Sequence, residues 1–275
     1  MWPDKALGER IAKDFIAVLV DVDKDGETAK KYGVSAMPTL VIADKEEKVL
    51  VMQVGAPFST VAAASKWFDG IVWALGAIDG LEKAYADKPE DADAALKLVD
   101  ACKKLGRGDD VVRLCEKFIA QLTASDKKLV DFQFVLGSHK LENARSLDDI
   151  KGAGELLEKA LSTLLAAKDR RAIEAALGCS RCNGYLDQAG KTPVQLCKTV
   201  AAFPDDAETA KLCAALCECL KEPASMKDED RLAAQKELEA LAKSAPKDSE
   251  GALYAKALLK TLARASKKGE SGKSK

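Results

Sequence analysis

The sequence holds a single histidine, His139, and aromatic residues make up only 5% of its 275 residues. Without a second histidine, neither a histidine-based metal site nor a persuasive nucleophile–histidine pair can be assembled. An excess of either charge is missing too, with 43 Lys and Arg against 44 Asp and Glu. Nothing in that balance points to nucleic acid or an anionic membrane as a partner. No apolar run approaches the roughly 20 residues that a membrane helix requires. The opening "MWPDKALGERIAKDF" has charges where a signal peptide needs its apolar core. No cofactor is expected.

What is present is enough apolar content, 47%, for one large or two modest domains with real cores. Eight cysteines (Cys102, Cys115, Cys179, Cys182, Cys197, Cys213, Cys217 and Cys219) sit in Ala- and Leu-rich segments. In a small secreted chain an even count would suggest a disulfide framework. In a chain of this size the expectation is reduced thiols that act as small core residues.

Two compositions follow one another. "FIAVLVDVD", Phe15 to Asp23, is apolar and β-branched and reads as a buried strand. "GETAKKYG" reads as a short helix closed by Gly33. "PTLVIAD", "KEEK" and "VLVMQVG" read as strand, turn, strand, an antiparallel hairpin. Leu7, Ile11 and Phe15 mark a preceding amphipathic helix. Val61, Ala64, Phe68, Ile71, Val72 and Leu75 mark a following one. From about Asp79 strand signals vanish. Segments 91–105, 109–122, 126–143, 148–168, 206–221, 227–244 and 249–266 space their apolar residues by three and four. Short breaks with capping residues imply antiparallel helical hairpins. "GRGDDVVRLCEKFIAQ" has a tetratricopeptide-like pattern, although no second copy lines up with it. The expected organisation is an α/β domain over 1–78, an all-α helical-hairpin domain over 79–266 and a disordered tail over 267–275.

"VDVDKDGETAKKYGVSAMPTLVIAD" and "VLVMQVGAP", with Tyr32-Gly33-Val34, Met37-Pro38-Thr39 and Gly55-Ala56 in order, resemble the second half of a thioredoxin domain. The resemblance covers residues 1–78. The helical remainder is more loosely similar to bacterial thioredoxin-like proteins with a helical extension. The family implies a partial thioredoxin-like α/β fold, a role in thiol–disulfide exchange and redox homeostasis, and a cis Met37–Pro38 bond. It also implies that Met37 holds a protein or peptide substrate by its backbone while Pro38 sets the shape of the turn. The family's Cys-x-x-Cys, on which its thiolate chemistry rests, would precede Met1, as would the central strand. The resemblance thus implies an N-terminally truncated sequence that is inactive as given, with any signal peptide upstream as well. The other reading is a non-catalytic scaffold made of a redox-dead thioredoxin-like fold and a helical adaptor for a protein partner.

Other motifs carry less. Asp21-Val22-Asp23-Lys24-Asp25-Gly26 begins like a calcium loop, but Tyr32 stands where the bidentate Glu belongs. A strand end with a polar turn fits it better. Cys179-Ser180-Arg181-Cys182 follows a helical stretch, "RRAIEAALG", for which Gly178 is a plausible cap, rather than a strand. The expectation there is packing thiols. A disulfide, or a zinc site with Cys197, Cys213, Cys217 or Cys219, is the alternative. His139 reads as a surface or helix-packing residue, and Trp67 and Trp73 as interdomain packing. Reduced thiols favour the cytoplasm over the periplasm.

Overall fold

The computed structural model describes residues 4–55, 58–221, 226–247 and 249–272. Ala56, which the resemblance pairs with Gly55, and residues 273–275 of the expected tail lie outside them. Contacts divide the chain into two compact units, Met1–Lys117 and Phe118–Lys275. The boundary read from the sequence, 78/79, falls inside a helix that runs unbroken from Val61 to Asp87.

The first unit opens with α1 (Lys5–Ile11), capped by Asp4, whose carboxylate accepts from the Leu7 N–H at 2.8 Å. Helix α2 (Gly26–Lys31) is capped in the same way by Asp25 on Thr28 N. It ends at Gly33, whose φ of 68° suits glycine, and the Val34 N–H returns to the Ala29 carbonyl at 2.9 Å. Strands β1 (Thr39–Ala43) and β2 (Val49–Val54) pair antiparallel, with Thr39 opposite Val54 and Ile42 opposite Val51. Asp44 builds their turn by accepting from Glu46 N and Lys48 N at 3.0 and 2.9 Å. Next comes α3 (Val61–Asp87), started by Thr60 on Ala63 N. Its Ala64 and Phe68 join Leu7, Ile11 and Phe58 in one cluster. Its Ile71 and Ala74 join Val51, Ala101 and Leu105 in another, the last two being supplied by α4 (Ala92–Lys104) and the residue that caps it. By length and composition α3 is long and apolar enough to cross a membrane. Ala64, Phe68, Ile71 and Ala74 of it are buried against the rest of the unit, and Asp69 pairs with Arg10.

Residues 15–21 depart from the strand that their composition predicts. They form no regular element, and among the described residues no backbone hydrogen bond involves residues 16 to 20. Ile16, Val18 and Leu19 are 95%, 77% and 98% exposed. A strand exists only by pairing, and the described sheet has just the two strands of the hairpin. Phe15 alone in this run packs inward, tilted against Phe68 at 5.7 Å.

From Val61 onward every described regular element is helical. Helix α5 (Gly108–Gln121) contains the junction between the units. The second unit continues with α6 (Leu129–Glu142), α7 (Leu147–Ala166), α8 (Arg171–Tyr185), α9 (Thr192–Ala202), α10 (Thr209–Cys219), α11 (Asp228–Ser244) and α12 (Glu250–Gly272). Most successive helices of this unit pack on one another, from α6 with α7 to α9 with α10 and again α11 with α12, while α11 packs on α9 and α10 on α12. The last helix extends past the expected start of the tail at 267. Gly178 is not a cap: α8 runs through it to Tyr185. A Cβ at Gly178 would lie 2.8 Å from Leu157 Cδ1, so the glycine serves the close approach of α7. Gly137 of α6 faces the same leucine, where a Cβ would lie 2.9 Å from Leu157 Cγ and 3.2 Å from Leu156 Cβ.

These contacts give opposite outcomes for two glycine replacements. Gly137→Ala gains about 1 kcal/mol of helix propensity but overpacks against branch atoms that cannot swing away, at roughly 1–3 kcal/mol. A net loss near 1 kcal/mol is expected. Gly152→Ala on α7 meets nothing within 4 Å and should stabilise by about 0.5–1 kcal/mol. Urea denaturation of the two variants checks both signs.

Candidate functional site

Met37 and Pro38 lie at the mouth of the hairpin, where the chain turns from α2 into β1. Their peptide bond is cis. Two hydrogen bonds fix the turn from either side. The Thr39 hydroxyl donates to the Ala36 carbonyl at 2.6 Å, and Gly55 N–H donates to the Pro38 carbonyl at 2.7 Å. Gly55 holds a φ of 80°, which lets β2 end beside Pro38. Between these fixed points the Met37 N–H and C=O have no hydrogen-bond partner among the described residues, and its side chain is 69% exposed. Met52 and Val54, two apart on β2 and so on one face of the sheet, are exposed as well. The arrangement can offer one backbone donor, one backbone acceptor and an apolar surface to an extended chain.

The calcium-like loop is accounted for by its own backbone. Asp21 accepts from Asp23 N at 3.1 Å and pairs with Lys24, while Asp25 caps α2. Its hydrogen bonds from Thr28 hold the Asp25 carboxyl below the usual carboxylate range. Trp67 packs edge-on against Phe68 at 5.0 Å, and Lys104 stands 4.9 Å from the ring centre of Trp73. Both contacts lie within the first unit, and Trp73 is 45% exposed. His139 is half-buried on α6, where its carbonyl accepts from Asn143 N.

The thiols lie elsewhere. Cys179 and Cys182 occupy one buried face of the middle of α8, not a helix N-terminus. All eight cysteines are free, six of them buried and Cys217 and Cys219 partly so. Burial pushes Cys115, Cys179 and Cys197 up to about 12 and Cys213 up to about 11. It raises Cys102, Cys182, Cys217 and Cys219 too. A thiol held protonated is neither a nucleophile nor a metal ligand. Among the described residues no group of three or more His, Cys, Asp or Glu is placed to hold a metal ion.

One signal could have located this thiol environment from the sequence. Cys213 and Cys217 are four apart on a helical stretch, as Cys179 and Cys182 are three apart, the spacing of a core face. The raised thiols also set an alkaline limit on stability. Unfolding frees thiols of ordinary pKa, so the folded state binds more protons between about pH 9 and 12. Stability is whole below that window and falls as pH rises through it. Urea titrations from pH 8 to 11 should show the fall, and Cys179→Ala should make it shallower.

Comparison with protein-family models and with curated proteins returned no match, so the reading of the site rests on its geometry.

Proposed function

We propose that the chain is a thioredoxin-like protein of thiol–disulfide exchange which, as it stands, holds a peptide without attacking it. The observation that carries this is the free backbone of Met37, framed by the Thr39 hydroxyl and the Gly55 amide. An extended peptide can add to such a segment by main-chain hydrogen bonds, with Met37, Met52 and Val54 offering apolar contact to its side chains. No described thiol has the lowered pKa or the exposure that attack on a disulfide needs. That second observation favours the companion reading of a non-catalytic scaffold, in which the helical unit serves as an adaptor for a protein partner. Both readings share the peptide at Met37 and differ in whether exchange chemistry accompanies it.

The experiment measures the two separately. Insulin reduction with dithiothreitol should proceed no faster with the chain than without it, and turnover would sink the non-catalytic part. Hydrogen exchange with carboxymethylated insulin B chain as the probe should slow the amides of residues 36 to 40. Protection confined to other segments, or no protection at roughly 1 mM peptide, would remove Met37 from the binding site.

A further inference from the structure

Most arginine side chains among the described residues are ion-paired. Arg10 holds Asp14 and Asp69, Arg107 holds Glu82 and Asp110, and Arg113 holds Asp110. In the second unit Arg170 holds Asp206, Arg171 holds Asp131 and Asp169, and Arg231 holds Asp228. Arg145 and Arg181 break the pattern. Neither guanidinium has an acidic partner among the described residues, and both line the same open groove of about 480 Å³ in the second unit.

The groove is built from the end of α6, the connection to α7, the first turn of α7 and the last turns of α8. Arg181 and Tyr185 are four apart on α8 and so stand on one face. Leu147 and Ile150 are three apart on α7, and Leu141 closes the α6 side. Leu147 and Tyr185 are each 62% exposed, although both are large and apolar. Two unpaired cations thus flank an uncovered apolar wall. The connection that carries Arg145 is fixed in place, because its own N–H donates to Asp149 at 3.0 Å and Ser146 accepts from Asp149 N at 3.1 Å. The Ser146 oxygen accepts this cap bond and keeps its hydroxyl proton for donation at the start of α7.

We propose that this groove binds an apolar group bearing a single carboxylate, the carboxylate lying between Arg145 and Arg181 and the apolar part against Leu147, Ile150 and Tyr185. Guanidinium–carboxylate pairing is charge-assisted and directional, and the volume is in the range of small-ligand sites. Asp148 and Asp149 open α7 at the same end. Their field penalises a second negative charge, which favours a monoanionic carboxylate over a phosphate dianion. The same chemistry is offered by a free organic acid and by the C-terminal residue of a protein that ends in an apolar side chain.

Calorimetry on the full chain at pH 7.5 tests this with five probes. They are 4-phenylbutyrate, its neutral amide, phenyl phosphate, and a heptapeptide ending in leucine as the free acid and as the amide. The acids should bind, and the corresponding amides should bind at least about tenfold more weakly. Arg145→Ala and Arg181→Ala should each weaken the acids by about tenfold or more. Lys159→Ala, an exposed cation of α7 outside the groove, should leave them unchanged. Both arginines are exposed, so the variants should keep the wild-type helical circular dichroism. Binding of phenylbutyrate alone identifies the small acid as the source, and binding of the acid peptide identifies a chain terminus. The proposal is overturned if amides bind as well as acids, if phenyl phosphate binds as tightly, if Lys159→Ala weakens binding as much as the arginine variants, or if no acid binds at roughly 1 mM.

Discussion

A backbone N–H or C=O that is removed from water without a partner costs roughly 1–3 kcal/mol, and this chain meets that constraint in two ways. From Val61 onward each segment supplies its own partners by coiling, so the hydrogen bonds of a helix interior need no neighbouring segment. Packing then has only to match side chains, and it does so closely enough that Gly137 and Gly178 are needed where Leu157 comes nearest. The residues before Val61 depend on neighbours instead. β1 and β2 find them in each other, while residues 16 to 20 have none among the described residues and Ile16, Val18 and Leu19 stay exposed.

The same economy governs the thiols and charges. Cysteine is small and weakly polar, so it serves as a core residue on α8, α9 and α10. Burial there raises the thiol pKa values and so favours the protonated form. Charged groups are kept outside. Most arginines are held in pairs at helix ends and connections, where the partner aspartate also caps a turn, as Asp169 does for Arg171.

Sequence patterns reveal these features unevenly, for physical reasons. Gly33, the hairpin and the buried stripe of α7 are set by neighbours in the chain, and local spacing shows them. α9, and the continuation of α8 through Cys179 and Cys182, are not readable in this way. "GCSRCNGY" has four helix-weakening residues, Gly178, Ser180, Asn183 and Gly184, and only burial against Leu157 explains why Gly178 sits mid-helix. The stretch "FIAVLVDVD" misleads in the other direction. β-branched composition reports a preference for pairing, and it cannot supply the partner. Of the candidate site, Met37 and Pro38 are legible through the Met-Pro-Thr turn. The groove between Arg145 and Arg181 is not, because 36 residues separate its two cations.

Exposure by itself does not distinguish a site from bare surface, and three exposed features of this chain show the difference. Ile16, Val18 and Leu19 are the most exposed, yet no hydrogen bond fixes the backbone that carries them. A ligand there would have to order the segment as it bound, at roughly 1–2 kcal/mol for each residue fixed. Met37 is held between the bonds of Thr39 and Gly55, and Arg145 between those of Asp149 and Ser146. In both places the frame is complete and only the presented group lacks a partner, so most of the ordering cost is met on folding. An unsatisfied group on a satisfied frame is the feature that separates these two positions from the rest of the surface.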